Sequence, residues 1–234
     1  VISIYLGLDR SPERPTRPPE TREANLHLDA TTRGIPTIEP IDLDTIGGLG
    51  WSPAKGDLAL PVLTLDEAAF AANRDLFLAW CAEVGAVVAP HAKTPMSTEL
   101  ANSLVEAGAW GLSVANRQQA AVFLAAGETR LLLANQIGGL AAGRRLGELL
   151  AAHPVAEVHV FADSVEAVAA IGAAGRAAGR AISVLVEVGA GRAGARDRAA
   201  VDAVIAAALA TEGSLLGGVA TYEGAAATSD PDET

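Results

Sequence analysis

The chain has a single cysteine, Cys81, among its 234 residues. That excludes an internal disulfide framework and a cysteine-rich zinc site. Aromatic residues reach only 4% while hydrophobic residues reach 50%, so any core is built mainly from small aliphatic side chains. Basic charge is also scarce: 17 Lys and Arg face 28 Asp and Glu, for a net charge of -11. A nucleic-acid partner needs a basic face, and the sequence shows none. No apolar run approaches the roughly 20 residues of a membrane span. The apolar stretch 1–8 is too short for a signal peptide and has no basic segment before it. These absences point to a cytoplasmic, reducing compartment, with neither nucleic acid nor membrane as partner.

What is present falls into two parts. Residues 9–23 are rich in Pro, Arg and Glu, and Pro12, Pro15, Pro18 and Pro19 exclude a helix or a central strand there. The irregular character runs on through Pro36, Pro40, Gly47, Gly48 and Gly50, so 1–57 reads as an irregular N-terminal arm with one short helix near 22–31. From residue 58 the pattern changes. A strand is predicted over 58–65 and a helix over 66–84, with Phe70, Phe77, Trp80, Cys81 and Val84 at helical spacing. Further strands are predicted at 86–89, 110–114, 130–134, 155–161, 182–188 and 215–221. Ala-rich helices lie between them at 98–106, 117–126, 140–151, 165–178 and 198–210. Gly85, Gly108, Gly127 and Gly179 follow helices, where a left-handed cap is expected.

Strand and helix alternating at about 25 residues imply right-handed βαβ units and a parallel sheet. An open doubly wound sheet and a (β/α)8 barrel both fit. Gly189-Ala190-Gly191-Arg192-Ala193-Gly194 follows a strand and precedes a helix, the local context of a dinucleotide fingerprint. It comes late in the strand series, and the acid about 20 residues on, Glu212, precedes the next strand instead of ending it. The barrel is therefore favoured. In such a barrel chemistry gathers at the C-terminal ends of the strands. Six consecutive predicted strands deliver polar residues there: His91 and Lys93, Asn116 and Arg117, Asn135 and Gln136, Asp163 and Ser164, Arg192, and Tyr222 with Glu223.

Lys93 stands out because the chain has 15 arginines and only two lysines. A lysine amine can lose its proton and form a Schiff base, which arginine cannot do; the competing role is an ordinary solvated lysine. His91 lies two residues earlier and shares a face with Lys93 in extended backbone, where it can tune the lysine or move a proton, or serve as a structural histidine. The glycines at 189–191 leave room for a planar ligand while Arg192 reaches an oxyanion, or they form a plain turn. Cys81 on an apolar helix face reads as inert core.

The segments Ala89-Pro90-His91-Ala92-Lys93-Thr94, Ala107-Gly108-Ala109-Trp110-Gly111, Ala134-Asn135-Gln136, Ala162-Asp163-Ser164, Gly191-Arg192-Ala193-Gly194 and Tyr222-Glu223-Gly224 occur in that order. Together they resemble the pyridoxal-phosphate enzymes of the alanine-racemase fold (fold type III). The branch is that of D-serine dehydratase and D-threonine aldolase, and the nearest likeness is to bacterial D-serine deaminases. The resemblance covers residues 58–224 and implies a TIM-type (β/α)8 barrel carrying pyridoxal 5'-phosphate, followed by a β domain. It implies that Lys93 forms the internal aldimine and that Arg192 stands beside the cofactor's phenolic oxygen. It also implies that Asn135, Asp163 and Tyr222 line the cofactor; the strand-end reading adds His91 beside Lys93 as a second catalytic candidate. A Gly/Ser/Thr-rich phosphate loop and a C-terminal His and Cys pair for a divalent metal, usually zinc, are not found in this chain. The expectation is that 58–234 is a partial barrel of about six strands, an N-terminal piece whose remaining strands, β domain and metal ligands lie beyond Thr234.

The implied activity is a lyase reaction on a small-molecule D-amino acid, with D-serine-type dehydration to a keto acid and ammonia first. D-threonine aldolase, an amino-acid racemase of the same fold, and a non-catalytic pyridoxal-phosphate-binding protein are the alternatives. A metabolite-binding barrel without cofactor is a further one. For the full-length protein a homodimer is expected.

Overall fold

The computed structural model describes residues 2–5, 27–189 and 192–222. Helices form where the sequence predicts them: α1 (Glu67–Glu83), α2 (Thr98–Glu106), α3 (Arg117–Ala125), α4 (Leu140–Ala151), α5 (Val165–Ala178) and α6 (Arg198–Ala210). Side-chain caps set five of the six starts, α4 following Gly139 without one. Asp66 accepts from the Ala69 N–H at 2.9 Å, Ser97 from Leu100 at 3.2 Å and Asn116 from Gln119 at 3.0 Å. Ser164 accepts from Ala167 at 3.2 Å and Asp197 from Ala200 at 2.8 Å. Each bond satisfies one of the N–H groups that a helix start leaves without an internal partner. The glycines expected at helix ends do adopt positive φ, Gly179 at 69° among them.

The strands are β1 (Ile2–Tyr5), β2 (His27–Leu28), β3 (Ile41–Asp42), β4 (Val87–Pro90), β5 (Leu112–Val114), β6 (Arg130–Leu133), β7 (Glu157–Ala162), β8 (Ile182–Val188) and β9 (Ser214–Thr221). One prediction fails outright: residues 58–65 form no strand. Pro61 has no N–H to give a ladder, and Leu60 and Leu63 stand exposed at 75% and 97%, so the apolar run has no sheet to join. The helix expected at 22–31 is also absent where it can be judged. Residues 22–26 lie outside the described residues, and from His27 the chain runs through β2 into a turn.

Two compact units divide the molecule, one formed by the described part of 19–73 and the other by β1 with the chain from Arg74 onward. In the first, β2 and β3 pair antiparallel, with His27 opposite Asp42. In the second, β5–β6–β7–β8–β9 form a parallel sheet in sequence order. β4 joins β5 through Trp110 N–H to the Val88 carbonyl at 2.8 Å and Ala92 N–H to the Ser113 carbonyl at 3.0 Å, which makes a sixth parallel strand. On its other side β4 pairs antiparallel with β1, Ile2 opposite Pro90 and Tyr5 opposite Val87. Among the described residues β9 has a hydrogen-bonded neighbour on one side only.

The sheet has two unlike faces because side chains alternate along each strand. Leu112, Val114, Leu131, Leu133, Val158, Val160, Val184 and Val186 pack under the helices. Such doubly covered strands read as continuous apolar runs. The opposite, inner face carries a second cluster of Ala89, Trp110, Leu132, Phe161, Leu185 and Ala220. Below that cluster Arg130, Glu157, His159 and Ser183 form a polar strut, with Arg130–Glu157 at 3.1 Å, His159–Glu157 at 3.0 Å and His159–Ser183 at 2.7 Å. His159 is buried and hydrogen-bonded through both ring nitrogens, against the Trp110 ring at 5.2 Å.

On the helix layer, α4 and α5 meet through glycine. A Cβ on Gly147 would lie 2.6 Å from the Ala177 Cβ and closer still to the Ala174 carbonyl oxygen; one on Gly143 would run into the Ala170 carbonyl. Real Cβ atoms do not approach so closely, so the two backbones touch because those side chains are missing.

Candidate active site

Above the inner apolar cluster the strands end in polar groups. β4 runs into His91 and then Lys93, both half-buried. His91 sits opposite Ser113 of β5, and the parallel pairing puts both side chains on the inner face. Ser113 is fully buried; its Oγ and the Nδ1 of His91 have no hydrogen-bond partner among the described residues. Buried polar atoms are nearly always satisfied, so two such atoms on neighbouring strands mark a place where a polar group belongs.

Burial pushes the Lys93 amine below the usual lysine range, and the Arg192 guanidinium pushes it the same way. Both effects disfavour the ammonium form. His91 is likewise lowered, by burial first and by the Lys93 charge second, so its imidazole is neutral at pH 7. The strand end therefore holds an amine biased toward the free base beside a neutral imidazole.

Inside β8, Glu187 faces inward and is only 6% exposed. Burial raises its carboxyl above the ordinary value, and the neighbouring Asp163 charge adds to this. The hydrogen bond donated by Gln136 to its Oε2, and the Arg192 and Arg196 charges, oppose the rise. Asp163, at the end of β7, accepts from the Gly194 N–H at 3.3 Å. The loop after β8 folds back on its own strand: Gly189 N–H donates to the Ala195 carbonyl at 3.0 Å, and Ala195 N–H to the Glu187 carbonyl at 2.8 Å. A Cβ on Gly194, whose φ is 99°, would strike Gly189. The glycines serve this tight return. A dinucleotide would want its pyrophosphate at the start of α6, where Asp197 already places a carboxylate on the free N–H groups. Ala190 and Gly191 lie outside the described residues.

The other expected site residues separate by role. Arg192 is exposed, and its charge reaches both Lys93 and Glu187. Asn135 is exposed and donates through its amide to the Ala115 carbonyl at 3.3 Å, tying the tips of β5 and β6. Tyr222 follows β9 and is half-buried, and Glu223 lies outside the described residues. Asn116 and Ser164, polar groups after their strands, are the helix caps described above. Ser113, Gln119 and Glu187 were not singled out by sequence, and Gln136 was read only as a polar residue at a strand end. The signal available for two of them was parity: Ser183, Leu185 and Glu187 share one face of β8, and Ser113 interrupts an otherwise apolar β5. Among the described residues no group of three or more His, Cys, Asp or Glu could hold a metal ion, and no helix is long and apolar enough to cross a membrane.

No protein-family model matches the chain. A D-threonine aldolase from an Arthrobacter species is 34% identical over 166 residues, spanning 70% of this chain and 43% of that protein. The crystal structure of D-threonine aldolase from Filomicrobium marinum matches with a TM-score of 0.64 at 28% identity, covering 70% of this chain and 44% of its own. D-threo-3-hydroxyaspartate dehydratase from Delftia sp. HT23 gives 0.54 at 28% identity, covering 70% and 45%. The chain thus spans less than half the length of these relatives. Its parallel α/β sheet shares the fold of these two structures and fits the partial TIM-type (β/α) barrel expected from the sequence.

Proposed function

We propose that this chain is the cofactor-binding part of a pyridoxal-phosphate-dependent lyase that acts on a 3-hydroxy-D-amino acid. The observation that carries this is Lys93: a half-buried lysine at a barrel strand end, its amine biased toward the free base, beside two inward polar atoms without partners. The residues present fit the cofactor. Its aldehyde calls for an unprotonated amine, and its polar ring substituents call for the hydrogen bonds that His91 Nδ1 and Ser113 Oγ have to offer. Pyridoxal phosphate supplies an electron sink for the carbanion that bond cleavage at the α or β carbon leaves behind.

The chain's own residues then take the following roles. Lys93 holds the cofactor covalently and, once released, takes a proton from substrate. His91, neutral at pH 7, accepts or returns a proton beside it. Arg192 adds to the burial that lowers the Lys93 amine and would face the phenolic oxygen, while Asn135, Asp163 and Tyr222 would line the cofactor. A divalent metal, if one takes part, would be bound by residues outside this chain. We assign 58–234 to the barrel and 1–57 to an arm before it; the compact unit that holds the parallel sheet itself runs from Arg74 and takes in β1, and the one free, buried cysteine suits a cytoplasmic setting.

Within this class, the names of the relatives support aldol cleavage of a D-threonine-type substrate as the first reaction. D-serine-type dehydration is the second, supported by the hydroxyaspartate dehydratase match. Products separate them: D-threonine would give glycine and acetaldehyde, D-serine pyruvate and ammonia. The underlying site is tested by incubating the protein with pyridoxal phosphate, reducing with borohydride and mapping the labelled lysine. Lys93→Arg keeps the charge but cannot bond the aldehyde, so label and turnover should vanish, while Lys55→Arg changes little. Label retained on another lysine in the Lys93→Arg protein would remove Lys93 from the site.

A further inference from the structure

We infer that Gln119 is a positioning residue that aims Lys93, an inference that rests on the cofactor-binding role of that lysine. Gln119 occupies the third position of α3, four residues after Ala115, and its Oε1 accepts from the Ala115 N–H at 2.8 Å. Its backbone N–H is taken by the Asn116 side chain at 3.0 Å. Together these bonds form a variant of the reciprocal cap found at helix starts, in which the third residue is Glu or Gln alike. A cap needs only the acceptor. The amide nitrogen left over reaches across to the β4 side and donates to the Lys93 carbonyl at 3.3 Å, 26 residues away in sequence.

That second bond is what glutamine adds over glutamate. The backbone on either side of Lys93 is already held: Ala92 N–H donates to the Ser113 carbonyl, and Met96 N–H closes a turn on the Ala92 carbonyl, both at 3.0 Å. Met96 completes this turn at φ 49°, a conformation that a non-glycine residue adopts only when its surroundings impose it. A bond to the Lys93 carbonyl restrains the peptide plane that leaves its Cα, and so helps to hold the Cα–Cβ bond from which the amine reaches out. Gln119 ties that carbonyl to the end of β5, so Lys93 and the inward His91–Ser113 pair are fixed to one frame. Misplacing a reacting group by about 1 Å can slow a reaction roughly a hundredfold, so one anchoring bond is enough to matter.

The test separates cap from anchor. Gln119→Glu keeps the acceptor for Ala115 but cannot donate to Lys93; Gln119→Met loses both. Each protein, and the wild type, is mixed with pyridoxal phosphate. The adduct forms as the Lys93 amine displaces the aldehyde oxygen as water, and borohydride then delivers hydride to make the link permanent. The rate of labelling at Lys93 is followed across pH, with Lys55 as internal control. The plateau rate at high pH is compared so that the new carboxylate's effect on the amine drops out. Gln119→Glu should melt like the wild type yet label Lys93 about tenfold more slowly at the plateau, and Gln119→Met should match that slowing. A wild-type plateau in a normally melting Gln119→Glu protein overturns the inference. So does slowing that only follows loss of folded protein in both variants, which would make Gln119 a helix cap. A wild type that takes no label at Lys93 instead overturns the cofactor reading itself.

Discussion

Replacing Gln136 with leucine tests the buried acid at the heart of the site. Glu187 is 6% exposed, and Gln136 is the residue seen donating to its Oε2. Leucine fills similar volume but offers no donor, so a buried carboxyl loses a charge-assisted bond. Leaving such a group short of a partner costs about 1–3 kcal/mol. For a chain of this size each kcal/mol moves the melting temperature by roughly 2–4 °C, so a drop of about 2–12 °C is expected at pH 8. The pH dependence carries the sharper information. Burial raises the Glu187 carboxyl above its ordinary value of 4.5, so the folded state binds this proton more tightly than the unfolded chain. Stability from this group is therefore full below the unfolded value and falls as pH rises through the folded one. Gln136 favours the ionised form, so its loss hurts most where Glu187 is ionised. The melting deficit of Gln136→Leu should shrink as pH falls from 8 toward 4.5. Adding Glu187→Gln should flatten that dependence. Thermal unfolding followed by circular dichroism at several pH values reads both. An equal deficit at every pH would mean that only packing was disturbed, and that the carboxyl is not the group Gln136 supports.

Two further outcomes follow from named contacts. Arg192→Ala removes a cation that lowers the Lys93 amine, so the pH midpoint for labelling Lys93 should move upward. Because Arg192 is exposed, the wild-type midpoint should itself rise toward that of the variant in 1 M salt, where charges are screened within about 3 Å. Gly147→Ala would put a Cβ against the Ala174 carbonyl and 2.6 Å from the Ala177 Cβ. Overpacking of this kind costs about 1–3 kcal/mol, more than the up to ~1 kcal/mol that alanine gains over glycine as a helix former. The variant should melt several degrees lower, whereas Gly47→Ala, with nothing within 4 Å, should melt like the wild type.

Helices were legible because their signals are local. Asp66, Ser97, Asn116, Ser164 and Asp197 stop or start the chain within four residues of themselves, and the observed bounds follow them closely. The strand misread at 58–65 shows the converse. An apolar run becomes a strand only if a partner offers a ladder, and Pro61 withholds one of its own groups. The site was half legible for the same reason. His91, Lys93, Asp163 and Arg192 stand at strand ends, which punctuation in the sequence reveals. Ser113 and Glu187 lie within apolar runs, and only the register of β4 with β5 and of β7 with β8 puts them on the inner face. Gln119 meets Lys93 across 26 residues, a contact no local pattern announces. The same holds for β1, whose pairing with β4 spans most of a hundred residues.

The glycine contact between α4 and α5 has a mechanical consequence. Side chains between helices act as compliant spacers, since a rotamer change lets one helix slide or tilt against the other. Gly143 and Gly147 rest on the Ala170 and Ala174 carbonyls with no spacer at all, and Gly175 repeats the arrangement against the Gly213 backbone. The joint has no side-chain degree of freedom to yield. The turn holding Asn135 enters α4, and the one holding Asp163 enters α5, so those two residues ride on a single rigid body. A load on one of these two strand ends is therefore passed to the other through backbone contact.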